Sequence, residues 1–94
     1  MNLSEEIKND IVSISLKHGA KNVSIFGSYA RGDEKSNSDI DIMVEFEPGR
    51  TLFDLVRLER ELKEKLEIDV DVVTPNSLHP RLRENVLEEM VPVL

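Results

Sequence analysis

The 94-residue chain has no cysteine and no tryptophan. Without cysteine there are no disulfides and no thiolate metal sites, which agrees with a reducing, cytoplasmic setting. No apolar run approaches the roughly 20 residues that span a bilayer, so no membrane association is expected. The opening MNLSEEIKND lacks a basic region followed by an apolar stretch, so no signal peptide is expected either. Basic residues are also few: 12 Lys and Arg against 19 Asp and Glu, a net charge of −7. A protein that grips nucleic acid presents a basic face, because phosphate contacts supply most of that affinity. Direct nucleic-acid binding is therefore not expected, and a basic partner is the better match. Acidity of this size also serves solubility alone, which is its commoner cause. With 39% hydrophobic and 33% charged residues, the composition is that of a folded globular protein. The length suits a single domain with one core, spanning residues 1–94.

Apolar spacing divides the chain into alternating elements. Ser4 is an N-cap candidate, Glu5 and Glu6 suit a first turn, and Leu3 is placed to staple it. Ile7, Ile11, Val12 and Ile14 then recur at helical spacing until Lys17-His18-Gly19, which predicts a helix over 4–18. Val23–Phe26 is a short β-rich run stopped by Gly27. Ser28–Arg31 can open a helical turn, and residues 32–38 form a polar loop. Residues 39–45 read as a second strand. After the Pro48-Gly49 turn, Thr51 caps a helix over 52–66 with a stripe of Leu52, Leu55, Val56, Leu58, Leu62 and Leu66. Residues 68–73 read as a third strand, and a last helical segment, interrupted at Pro80, reaches about Met90. The helix between the second and third strands favours their parallel pairing. The expected fold is α/β (α+β): a small mixed sheet of three to four strands, with helices mainly on one face. Phe26 and Phe53 are assigned to the core.

Strand periodicity sorts the carboxylates. In the second strand Ile40, Ile42 and Val44 share one face, and Asp39, Asp41 and Met43 the other. In the third, Ile68, Val70 and Val72 face one way, and Asp69, Asp71 and Val73 the other. If the strands are neighbours, three or four carboxylates converge and repel one another unless a cation intervenes. Hard oxygen donors suit Mg²⁺ or Mn²⁺; the strands hold no histidine, which disfavours zinc. One such pair is commonly only the polar side of a sheet. Two pairs on separate strands, downstream of a glycine-bounded turn, tip the reading towards metal. That turn is Gly27-Ser28-Tyr29-Ala30-Arg31-Gly32. A strand ending in Gly-Ser at a helix start offers backbone N–H groups and a hydroxyl to an anion such as a phosphate chain. It is neither a Walker A loop nor a dinucleotide fingerprint.

The joint pattern "GSYARG … SDIDIMVEF" resembles the G-S-x-A-R-G … S-D-x-D signature of polymerase-β-type nucleotidyltransferases, and in particular their minimal, MNT-type members. The resemblance covers nearly the whole chain, including the ending "IDVDVVTPNSLHPRLRENVLEEMVPVL". It implies that Gly27 and Ser28 hold a nucleotide's phosphates, and that Asp39 and Asp41 ligate two Mg²⁺ (or Mn²⁺) ions. It places the third carboxylate at Asp71, in its apolar V-D-V-V context, ahead of Asp69. Arg31 falls within the motif and either buttresses the loop or meets phosphate.

The family's MNT-type members further imply an antitoxin that moves AMP from ATP to a tyrosine of a helical HEPN ribonuclease toxin. No residues remain for an acceptor-binding domain, which disfavours antibiotic or tRNA substrates. Two alternatives stay open: a binding module that neutralises its partner by occlusion, and a transferase acting on a small molecule. His18 and His79 read as a helix end and a surface residue, and Tyr29 as packing. Arg81 and Arg83 read equally as contacts to phosphate or partner and as solvated groups.

Overall fold

A computed structural model describes residues 3–94. The elements run α1 (Glu5–Lys17), β1 (Ala20–Phe26), α2 (Ser28–Arg31), β2 (Ile40–Phe46), α3 (Leu52–Leu66), β3 (Val70–Val73), a 3-10 turn (Pro75–Ser77), α4 (Pro80–Glu89) and β4 (Val91–Pro92). One mixed sheet has the strand order β3-β2-β1-β4. β1 is antiparallel to both β2 and β4, while β2 and β3 are parallel, as the crossover through α3 requires.

The helix ends follow local chemistry. Ser4 Oγ accepts the Ile7 N–H at 3.2 Å. Asp54 Oδ2 accepts the Thr51 N–H at 2.8 Å, and Thr51 Oγ1 accepts the Phe53 N–H at 3.2 Å. These bonds satisfy donors that helix geometry leaves unpaired. Thr51→Ala is expected to lower stability by about 1 kcal/mol, which thermal melting would register as a fall of roughly 4–8 °C in a domain of this size. At the other end of α3, Glu67 takes a left-handed conformation, φ 56°. The chain bends before pairing resumes, so β3 starts at Val70 rather than Ile68.

The main core lies on one side of the sheet. Ile11 and Ile14 of α1 and Leu58 and Leu62 of α3 pack with Val23, Ile25, Ile40, Ile42, Val44, Val70 and Val72. Leu3 joins this core, and Tyr29 packs against it. α1 and α3 thus cover one face, while α4 stands over the other. From α4, Leu82, Val86 and Glu89 border a cleft with Gly27 and Asp41. Arg83, Leu87 and Met90 border a second hollow over Ser24 and Met43.

Two assignments need correction. Phe53 is 73% exposed, with Leu52 and Val56 also outside: the apolar stripe of α3 is wider than the face the sheet can cover. Phe26 is half-buried and borders the cleft instead of joining the core, because it pairs with Asp41 on the acid-bearing face. β1 also starts earlier than its apolar run, at Ala20, and β4 adds a two-residue edge strand, Val91–Pro92, within the apolar ending M-V-P-V-L. Among the described residues, no helix is long and apolar enough to cross a membrane.

Candidate active site

Three strand ends meet at one end of the sheet. β1 finishes there at Phe26, and β2 and β3 begin there at Ile40 and Val70. The register sets Asp41 between Phe26 of β1 and Asp71 of β3. Two carboxylates from neighbouring strands therefore sit side by side. Asp39 immediately precedes β2, two residues from Asp41 and with the same facing. Asp69 precedes β3, where its carbonyl accepts the Ile40 N–H at 2.9 Å.

Asp39, Asp69 and Asp71 are exposed, whereas Asp41 is half-buried. Burial comes first, then the Asp71 and Asp39 carboxylates, in pushing the Asp41 pKa above the usual Asp value. The anion at Asp41 is thus destabilised where it sits and gains from a cation. Among the described residues, no three Asp, Glu, His or Cys side chains are gathered tightly enough to form a ready-made metal cage. The mutual repulsion felt at Asp41 is the force that opposes such gathering. The donor chemistry still fits: the convergent groups are all carboxylate oxygens, the type that hard divalent cations prefer.

Gly27 is held against this group by two constraints. Its φ of 76° and ψ of −153° lie in a region that only glycine occupies without strain. A Cβ there would also collide with Asp41 Oδ2. The turn and the carboxylate are therefore in direct van der Waals contact. Ser28 opens α2, and Arg31 closes it. Together with Phe26, Gly27 and Asp41 they line a cleft of about 720 Å³, whose far wall is formed by Leu78 and α4. Asp39 and Asp71 do not line the cleft.

Arg31 is held by two acids. Its Nε donates to Asp33 Oδ2 at 3.2 Å, and its Nη1 to both Glu89 oxygens at 3.2 Å. Asp33 first and then Glu89 raise the Arg31 pKa further. Glu89 was not singled out by the sequence reading; it is one acid among several in the tail of α4, far along the chain from its partners.

The remaining candidates have structural contacts. His18 ends α1 and meets Glu61 Oε1 at 2.9 Å. His79 Nδ1 accepts the Arg81 N–H at 3.1 Å and so caps α4. Arg83 donates to the Pro75 carbonyl at 2.9 Å. Neither Arg81 nor Arg83 lines the cleft.

The nucleotidyltransferase domain model matches residues 4–93. A Methanocaldococcus jannaschii protein with the provisional name protein adenylyltransferase is 57% identical over 94 residues, all of both chains. A solved structure described as a minimal nucleotidyltransferase superposes with a TM-score of 0.81 at 46% identity, covering 90% of this chain and 87% of that one. A solved toxin–antitoxin complex with AMP-PNP matches at a TM-score of 0.80 and 27% identity, over 93% of this chain and 72% of that one. The chain belongs to the nucleotidyltransferase domain family.

Proposed function

We propose that this chain is a divalent-metal-dependent protein adenylyltransferase that acts as an antitoxin, moving AMP from ATP to a tyrosine hydroxyl of a HEPN-type ribonuclease toxin. The observation that carries the reading is Asp41. It is paired with Asp71 across β2 and β3, and in contact with the Gly27 turn. One end of the sheet therefore offers both a cation site and an anion site, which a metal-bound triphosphate needs. The name of the Methanocaldococcus jannaschii relative and the AMP-PNP in the toxin–antitoxin neighbour support the nucleotide and partner assignments.

In this reading Asp39 and Asp41 would hold two Mg²⁺ or Mn²⁺ ions, with Asp71 as a further carboxylate ligand. When bound, such ions lower the pKa of an attacking hydroxyl and neutralise charge on the departing pyrophosphate. The Gly27 N–H and the Ser28 hydroxyl take phosphate oxygens and fix the chain of phosphates in line with the acceptor. Asp71, exposed beside Asp41, accepts the proton of the attacking tyrosine. Phe26, Leu82 and Val86 give the cleft an apolar wall against which a nucleotide base can pack. The acidic surface suits a partner that must itself bind RNA.

The test is intact-protein mass spectrometry of the cognate partner after incubation with this protein, Mg²⁺ and ATP. A gain of one or more AMP units is expected, abolished by Asp39→Ala with Asp41→Ala. No gain with ATP, GTP, CTP or UTP would sink the enzymatic reading. Full neutralisation of the toxin by the double variant would transfer the antitoxin role to occlusion.

A further inference from the structure

The Gly27 N–H, assigned above to phosphate, and Arg31, which the family motif leaves between loop and phosphate, are already engaged by a side chain of this protein. Glu89 Oε1 accepts the Gly27 N–H at 3.1 Å. Both Glu89 oxygens also accept from Arg31 Nη1 at 3.2 Å. A carboxylate thus holds the backbone donor and the guanidinium at the mouth of the nucleotide turn, and its side chain is 29% exposed. Its backbone has little freedom: two residues on, Val91 pairs with Ile25 of β1. Release of these contacts therefore requires the side chain to swing away, not the strand to leave.

We propose that Glu89 is an internal competitor for the nucleotide's phosphates, occupying Gly27 and Arg31 in the nucleotide-free protein and giving way when triphosphate enters. The proposal rests on the reading that Gly27, Ser28 and Arg31 form the phosphate side of the site. One backbone N–H carries one hydrogen, and the Gly27 N–H cannot serve a carboxylate and a phosphate oxygen at full strength together. The two anions also repel at this distance. Nucleotide binding therefore replaces existing charge-assisted bonds instead of making new ones from solvated groups, and affinity falls by the difference. The site stays closed to stray anions and opens only to a ligand with enough charge to displace Glu89. The same carboxylate can return to its donors as pyrophosphate leaves. The opposite role, in which Glu89 pre-positions Arg31 and the turn for phosphate, predicts the opposite sign.

Calorimetric titration of the full chain with a non-hydrolysable ATP analogue and Mg²⁺ separates them. Glu89→Gln should tighten the analogue about tenfold, the worth of roughly one charge-assisted hydrogen bond, and leave adenosine binding unchanged. Glu89→Asp, which keeps the charge but shortens the reach, should fall between wild type and Glu89→Gln. Equal or weaker analogue binding by both variants, at unchanged melting temperature, overturns the proposal and leaves the nucleotide site standing. Failure of wild type and both variants to bind the analogue overturns the proposal together with the phosphate-site reading. Binding by Glu89→Gln alone supports both.

Discussion

Asp41→Asn is expected to abolish nucleotidyl transfer while making the metal-free protein more stable. If Asp41 holds both cations as proposed, its loss removes several kcal/mol of charge stabilisation from the transition state. About 4 kcal/mol corresponds to roughly a thousandfold in rate. Stability moves the other way. The Asp41 pKa is raised in the fold by burial and by Asp71 and Asp39, so the folded state holds that proton more tightly than the unfolded chain does. Folding stability is therefore lost as pH rises from the unfolded pKa through the raised one, and stays lower above it. Asparagine lacks that titration. Asp54 and Glu61, whose pKa values are lowered by the Thr51 N–H and by His18 and Lys17, titrate alike in both proteins, so melting curves across the carboxylate range should show Asp41→Asn gaining on wild type as pH rises. Added Mg²⁺ should reverse the order, stabilising wild type by about 2.7 kcal/mol when it exceeds its Kd a hundredfold and the variant by less. A variant no more stable than wild type in chelator would contradict the strain inferred at Asp41.

Gly27→Ala should be nearly as damaging to activity and, unlike Asp41→Asn, should also destabilise the fold. The backbone conformation at Gly27 costs an L-residue about 1–3 kcal/mol. The added methyl would collide with the Asp41 carboxylate, so either the turn or the acid must shift. A displacement of about 1 Å at a reacting centre costs on the order of a hundredfold in rate. Steady-state kinetics should show kcat/KM down by at least that factor, with the melting temperature lowered. Gly32→Ala provides the contrast: its φ is also positive, at 81°, but a Cβ there meets nothing within 4 Å. It should lose stability and keep most of its activity.

The legible parts of this molecule are those where one local rule suffices. Ser4 and Thr51 announce helix starts because capping is decided within four residues. The alternation in β2 separates Ile40, Ile42 and Val44 from Asp39 and Asp41 because strand period is fixed at two. A single helix joining the strands favours their parallel direction, while the adjacency of Asp41 and Asp71 is set by the register of the two strands. Phe53 lies outside the core; helical spacing counts apolar positions but does not reveal how wide a face the sheet covers. Phe26 alternates with the buried Ile25 along β1 and so faces away from the main core; its aromatic character alone does not show this. β4 has two residues, one of them Pro92, and exists only through its pairing with β1. Glu89 is the sharpest case: its bonds to Gly27 and Arg31 cross 62 and 58 residues of chain, and nothing in its local sequence sets it apart from Glu88.

The strand directions also divide the molecule lengthwise. Because β1 runs towards the site while β2 and β3 run away from it, the Gly27 turn and the three aspartates crowd one end. The exposed Glu47–Arg50 turn lies at the other, roughly 20 Å off along the seven residues of β2. A fluorophore, an affinity handle or an inserted loop between Pro48 and Gly49 is thus remote from the carboxylates. This fold can be lengthened at that bend without rewriting its chemistry.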